Sequence, residues 1–142
     1  MTIFAGTSAL RSQYNRDAIL SASPVRLLTM LYDRLMLDLG RAEAAQLGGN
    51  WPVATENLVH AQAIVSELSS TLNMTGWDGA EGLFALYTFV GNAMATANIH
   101  RDVERTREAI LLLEPLRQSW HEAAASLPVR SASVGTGTLG FA

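Results

Sequence analysis

An all-α fold, an antiparallel up-down four-helix bundle, is what this sequence predicts, and three features say so. Apolar residues recur at steps of three and four over four long stretches. Breaks containing Gly or Asn separate those stretches. No stretch shows the two-residue alternation of a half-buried strand. Because the connections are short, neighbouring helices are expected to run antiparallel. The organisation read from the sequence is a short helical arm over 1–22, the bundle over 23–128, and a flexible tail over 129–142.

The first helix is expected from about Pro24 to Leu47. Ser23 can accept a hydrogen bond from an orphan backbone N–H of the first turn, and Pro24 fits there because its missing donor costs nothing. Leu28, Leu31, Leu35, Leu39 and Ala42 make its inward stripe, leaving Arg34, Asp38 and Arg41 on a solvated side. Gly48-Gly49-Asn50 ends it. A second helix follows from about Pro52 to Leu72, with Leu58, Ala61, Val65, Leu68 and Leu72 on one seam, and Asn73 to Gly76 breaks it. Asp78 with Glu81 three residues later predicts a capping box for the third helix, in which Leu83, Leu86, Val90, Met94 and Ala97 face inward. After a short turn at 98–101, Asp102 can cap the fourth helix. Its seam is Ala109, Leu113, Leu116, Trp120, Ala123 and Leu127, and Pro115 inside it predicts a kink. Ser131 to Ala142 carries no charge and is rich in Ser, Thr and Gly, which reads as a tail.

Composition removes several classes of function. With 49% hydrophobic and 16% charged residues, the 142-residue chain is long and apolar enough to bury one core, so a disordered chain is not expected. It has no cysteine, which rules out disulfides, thiolate catalysis and Cys-based metal sites. All ten basic residues are Arg, so lysine-based chemistry is absent as well. A net charge of −3 with scattered basic residues offers no footprint for nucleic acid. The first ten residues lack a basic start followed by an apolar core, so no secretory signal is expected and the cytosol is the expected location. Gly82 to Ile99 is uncharged over eighteen residues, but polar interruptions and flanks without basic clusters argue for a buried or ligand-facing helix, not a membrane span.

Enzymatic chemistry finds no foothold. A di-iron bundle needs inward Glu residues and Glu-x-x-His pairs, and none is present. Glu56 and His60 are four apart, but two ligands on a solvated helix face do not make a metal site. His100 and His121 have no nucleophile beside them in sequence, and Gly48-Gly49 lacks the strand–loop–helix setting of a phosphate cradle. No enzyme activity, cofactor or metal is expected. The unusual feature is the third helix, where Leu83, Phe84, Leu86, Tyr87, Phe89, Val90 and Met94 run nearly all the way round. Either its own chain covers it on every side, or one side lines a hydrophobic groove for a partner. Phe4, Leu10 and Tyr14 pose the same choice in the N-terminal arm: a frayed terminus, or a segment that docks on the bundle.

Ordered landmarks give these features a family likeness. Tyr14 precedes Ser21-Ala22-Ser23-Pro24, which leads into Met30-Leu31-Tyr32-Asp33. His60-Ala61, Ile64-Val65, Leu68 and Leu72 follow, then Leu86-Tyr87, Ala97-Asn98 and Asp102, and finally Leu112-Leu113, Leu116-Arg117 and Trp120. From Leu10 to Trp120 this pattern resembles the FliS-type flagellar export chaperones. The resemblance implies a helical bundle that binds the disordered C-terminal region of flagellin in the cytosol. It further implies that the chaperone prevents premature polymerisation and presents flagellin to the flagellar export gate. The client-contacting candidates are then Leu10 and Tyr14 in the arm and Leu27, Met30, Leu31 and Tyr32 on the first helix. On the third helix they are Leu86, Tyr87, Val90, Met94 and Asn98. A monomer or weak homodimer is expected. The alternative is a homodimeric helical adaptor or scaffold in which the apolar third helix closes the dimer and no flagellin is bound.

Overall fold

The structure, a computed structural model, describes Leu10 and residues 23–127. These form four helices: α1 (Pro24–Leu47), α2 (Trp51–Ser70), α3 (Ala80–Ile99) and α4 (Val103–Ala125), with no strand among the described residues. Each helix packs on its neighbours in chain order and α4 closes the ring against α1, so the fold is an up-down bundle.

Local chemistry sets the ends. The Ser23 hydroxyl accepts from Arg26 N with Pro24 in the first turn, Asn50 Oδ1 accepts from Val53 N, and Asp102 Oδ1 accepts from Glu104 N at 3.0 Å. Helices α1 and α3 end the same way. Asn50 N donates back to Ala45 O at 2.8 Å, and Asp102 N to Ala97 O at 3.0 Å, each closing a six-residue Schellman turn. The left-handed residue such a turn needs is Gly49 (φ 73°) in the first case and Arg101 (φ 54°) in the second. Arg101, which has a Cβ, is held there partly by its guanidinium, 4.9 Å from the centre of the ring of Trp51, the first residue of α2.

The start of α3 departs from the sequence reading. Gly79, not Asp78, occupies the N-cap, and no side chain caps the helix. The cause is Trp77: its ring lies so tightly over Gly79 that a Cβ there would sit 2.0 Å from Trp77 Cζ3. Packing of the ring fixes the turn and leaves Asp78 outside it, with Glu81 in the first turn favoured only by the helix dipole.

Tyr32, Leu35, Leu39, Leu58, Val90, Met94 and Leu113 make the centre of the core. Full burial of each aliphatic side chain contributes about 1.5–3 kcal/mol. Two polar contacts are built into it. The Tyr32 and Tyr87 hydroxyls are 2.6 Å apart across the bundle. Near the α1–α2 turn, Gln46 Nε2 donates to Ala97 O at 3.2 Å while Gln46 Oε1 accepts from Thr106 Oγ1 at 2.7 Å, joining three helices.

Two further expectations are corrected. Asp38, expected in solvent, is fully buried on the α1–α2 seam, because Arg34 Nε at 2.9 Å and the ring of His60 supply it with charge-assisted partners. On α4 the inward residue after Trp120 is Ala124, one helical step of four on, so Ala123 and Leu127 are exposed. The helix is continuous through Pro115, which lies on its exposed side. The carbonyl that loses its donor there belongs to Leu111, itself 74% exposed and free to meet water.

Candidate functional site

Exposed apolar side chains occur on all four helices, and between α3 and α4 they line concave surface. At the end where α3 begins and α4 finishes, Trp77 and Leu83 face Leu116 and Trp120 across a groove of about 440 Å³. Its floor is open to close approach at Gly82, while the Trp77 ring covers Gly79, and its rim is completed by Leu86, Ser119 and Ala123. None of these lining residues is charged. Further along the same antiparallel pair, Phe89, Leu111 and Leu112 line a second hollow of about 530 Å³, whose other lining residues are the charged Glu104, Arg105, Arg107 and Glu108. Both hollows are lined by residues of α3 and α4, the first ending at Leu86 and Leu116 and the second beginning at Phe89 and Leu112. Phe84 (43% exposed), Phe89 (48%) and Leu111 (74%) show how much hydrocarbon is left to solvent.

The groove is held from beneath. The Trp120 ring tilts at 52° against Tyr32, centroids 6.5 Å apart, and Tyr32 in turn meets Tyr87 through the two hydroxyls. Burial pushes the Tyr32 hydroxyl's pKa up, with its hydrogen bond to Tyr87 offsetting part of that. Burial, and then the Tyr32 hydroxyl, push Tyr87 above the ordinary tyrosine range. Both phenols are therefore neutral at pH 7, and one donates to the other. The Trp120 indole nitrogen is buried without an acceptor among the described residues.

A third hollow, of about 460 Å³, sits at the opposite end of the bundle between Trp51, Thr55, Asn98 and Arg101. There Thr55 Oγ1 donates to Asn98 Oδ1 at 2.8 Å. Along the α1–α4 seam, Arg107 Nε bonds Glu43 at 2.7 Å, Arg117 reaches Asp33 at 3.2 Å, and His121 Nε2 lies 2.7 Å from the same Asp33 oxygen. Among the described residues, no group of three or more His, Cys, Asp or Glu residues is placed to hold a metal ion.

The candidates read from the sequence separate into distinct places. Leu86 is half-buried on the groove rim. Tyr32, Tyr87, Val90 and Met94 are interior, with at most 2% of their surface exposed. These four present almost no surface to a partner, since Tyr32 on the first helix and Tyr87, Val90 and Met94 on the third all turn into the core. Of them, Tyr32 packs under the groove wall Trp120, and Tyr87 meets Tyr32. Leu27 and Leu31 are half-buried and Met30 is 38% exposed on α1, away from the α3–α4 seam. Asn98 belongs to the opposite end. Leu10 is 70% exposed, and Tyr14, with Phe4, lies outside the described residues. The sequence reading missed Trp77 as a groove wall. The available signal was an aromatic residue beside glycine in an otherwise polar connection.

Comparison with known proteins adds the decisive observation: the family model "Flagellar protein FliS" matches residues 6–127. The chain belongs to the FliS family. It is 32% identical over 103 residues to the flagellar secretion chaperone FliS of Vibrio cholerae, covering 72% of this chain and 76% of that protein. It is 28% identical over 123 residues to the Escherichia coli flagellar secretion chaperone FliS, covering 85% and 90% of the two chains. A solved structure described as a flagellar chaperone from bacteria superposes with a TM-score of 0.67 at 19% identity, covering 82% of this chain and 99% of that one, which establishes the shared bundle. In this member of the FliS family an uncovered apolar seam lies between α3 and α4, and no described helix is long and apolar enough to cross a membrane.

Proposed function

We propose that this chain is a cytosolic, non-enzymatic export chaperone. It binds the disordered C-terminal region of flagellin, keeps it from polymerising, and delivers it to the flagellar export gate. Membership of a family whose relatives are named flagellar secretion chaperones supports the class of client. The observation that carries the reading is the α3–α4 seam, whose first groove is uncharged and whose second carries half-exposed Phe89 beside Leu111 and Leu112. An amphipathic segment laid along that seam buries the apolar face through which client subunits would associate with one another. The client's ordering entropy offsets part of the contact energy, so a large interface coexists with moderate affinity, as release at the export gate requires.

Calorimetric titration of a flagellin C-terminal peptide tests this. Phe89→Ser combined with Leu112→Ser alters exposed residues and leaves the core intact, and it is expected to weaken binding by about 1–3 kcal/mol, roughly 5- to 150-fold. Tyr14→Ala is expected to weaken binding without moving thermal stability if the arm contributes to recognition. No heat on titrating the unmodified chain, or equal affinity in the folded double variant, overturns the assignment of the seam. A tight dimer in light scattering that ignores the peptide favours a homodimeric scaffold in its place.

A further inference from the structure

Hydrogen-bond donors without acceptors gather where α2 begins and α3 finishes. The third hollow, of about 460 Å³, has a floor of Ala54, Leu58 and Ala97, each at most 2% exposed, and apolar walls at Trp51, Pro52 and Ile99. That volume lies in the range of roughly 300–1,000 Å³ of pockets that take a discrete ligand. Among its polar groups, Gln46 is committed at both ends of its amide, to Ala97 O and to Thr106. Thr55 donates its hydroxyl proton to Asn98 Oδ1, which fixes that amide and leaves Asn98 Nδ2 without an acceptor among the described residues. Arg101 is the one charged residue of the lining. Its guanidinium rests over the Trp51 ring and has no carboxylate partner among the described residues.

The backbone supplies a second observation. Arg101 closes its Schellman turn at φ 54°, whereas the equivalent turn after α1 uses Gly49, which meets no steric penalty there. Glycine would serve the fold at 101 equally well, so the turn has no need of a guanidinium. What the arginine adds is a cation at the mouth of an apolar hollow. Donors without acceptors, one of them charged, call for a carboxylate, and the buried floor calls for a hydrocarbon side chain beside it. Pro52 and Thr55 on α2 and Ile99 and Arg101 opposite them are all exposed, so the hollow is open and does not enclose a small molecule. We propose that this α2–α3 hollow docks a linear segment of a protein partner. The segment sets an apolar side chain on the Ala54–Leu58–Ala97 floor and the carboxylate of a neighbouring Asp or Glu on Arg101 and Asn98. The hollow lies on a different seam from the α3–α4 grooves, so this inference does not rest on the client reading above.

Titration of the blocked peptide acetyl-Ser-Leu-Asp-Ser-amide into the isotope-enriched full chain, followed by NMR, tests this. The Trp51 indole and the Asn98 side-chain amide are expected to shift saturably at millimolar peptide, while the indoles of Trp77 and Trp120 stay where they are. Exchanging the peptide's Asp for Asn should weaken binding roughly tenfold, the loss of one charge-assisted hydrogen bond. Arg101→Gly should weaken binding of the Asp peptide to the same degree. The variant should melt close to the parent temperature, because relief of the left-handed strain offsets the greater freedom of glycine in the unfolded chain. Ile99→Ser, at a side chain 74% exposed, should weaken both peptides several-fold and leave the fold intact. Equal binding of the Asp and Asn peptides, parental affinity in folded Arg101→Gly, or no shift at Trp51 overturns the proposal. Tighter binding of acetyl-Ser-Ser-Leu with a free carboxyl group overturns it too, since a chain terminus would then be the occupant. No flagellin is present, so failure here and failure of the flagellin titration are separate outcomes.

Discussion

The two ends of the bundle are finished differently. Where α1 turns into α2 and α3 into α4, both helices close with Schellman turns. Gln46 ties α1 to α3 and α4 with two buried hydrogen bonds, and Arg101 of the α3–α4 turn stacks over Trp51 at the start of α2. At the opposite end the α2–α3 connection is longer, α3 begins without a side-chain cap, and the space between Trp77 and Trp120 is an open groove. Directional polar contacts specify one geometry, whereas an apolar groove is complementary to many occupants. The contrast separates the end that defines the fold from the end whose apolar groove is left open.

The largest effect that sharpens this contrast is expected at Gln46. Gln46→Leu fills similar space but strands the buried Thr106 hydroxyl and removes one of the two donors to Ala97 O. We expect a loss of about 2 kcal/mol, which lowers the melting temperature by roughly 8 °C. Urea unfolding followed by circular dichroism measures it. A change under about 0.5 kcal/mol breaks the comparison, because the polar end would then contribute no more than an ordinary surface contact.

At the groove end a change of one methyl group should act on shape more than on stability. Gly79→Ala drives a Cβ into the Trp77 ring, but the ring is the free end of a side chain that is already 49% exposed, so it can swing away. The expected cost is under about 1 kcal/mol. The groove loses one wall, and Trp77 fluorescence shifts red as the ring enters water. Should the variant lose as much stability as Gln46→Leu, the groove end is structural after all and the functional contrast fails.

How much of this was legible beforehand divides along the same line. Helix ends were readable where a side chain acts on its own backbone: Ser23 and Asp102 cap as their chemistry dictates, and the Gly49 turn falls where its sequence places it. The seams of α1 and α2 follow from the 3.6-residue period, since Leu35, Leu39, Leu58, Ala61 and Leu68 are all buried. What could not be read depends on a partner distant in sequence. Asp38 looked like one member of a charged face with Arg34, and it is the arrival of α2, bringing His60 as a second partner, that buries it. The Asp78 cap lost to the packing of Trp77 on Gly79, and the left-handed Arg101 owes its place to Trp51, fifty residues earlier. In the candidate site, the apolar excess of α3 was visible. Which of its residues face out was not, because they run nearly all the way round the helix.

The smallest effect concerns the charged cover of the α1–α4 seam on the groove side. Arg117 pairs with Glu114 at 2.8 Å and with Asp33 at 3.2 Å, while Gln118 donates to the same Glu114. The Arg117 hydrogen bonds hold the Glu114 carboxyl below its ordinary value of 4.5, with the Gln118 bond adding to the shift. A carboxyl whose pKa is depressed by folding binds fewer protons in the native state than in the unfolded one. Its stabilisation is complete above the unfolded value and is lost as pH falls below 4.5 and through the folded value. Both partners are solvent-accessible, so the effect is small and screened by salt. We expect Glu114→Gln to match the parent closely at pH 7 and to lose less stability than the parent between pH 5 and pH 3, the difference shrinking in high salt. Urea midpoints at both pH values and two salt concentrations measure it. Equal acid losses in the two proteins would mean that Arg117 is held by Asp33 alone, and the pairing that covers this seam would then run between α1 and α4 without help from within α4.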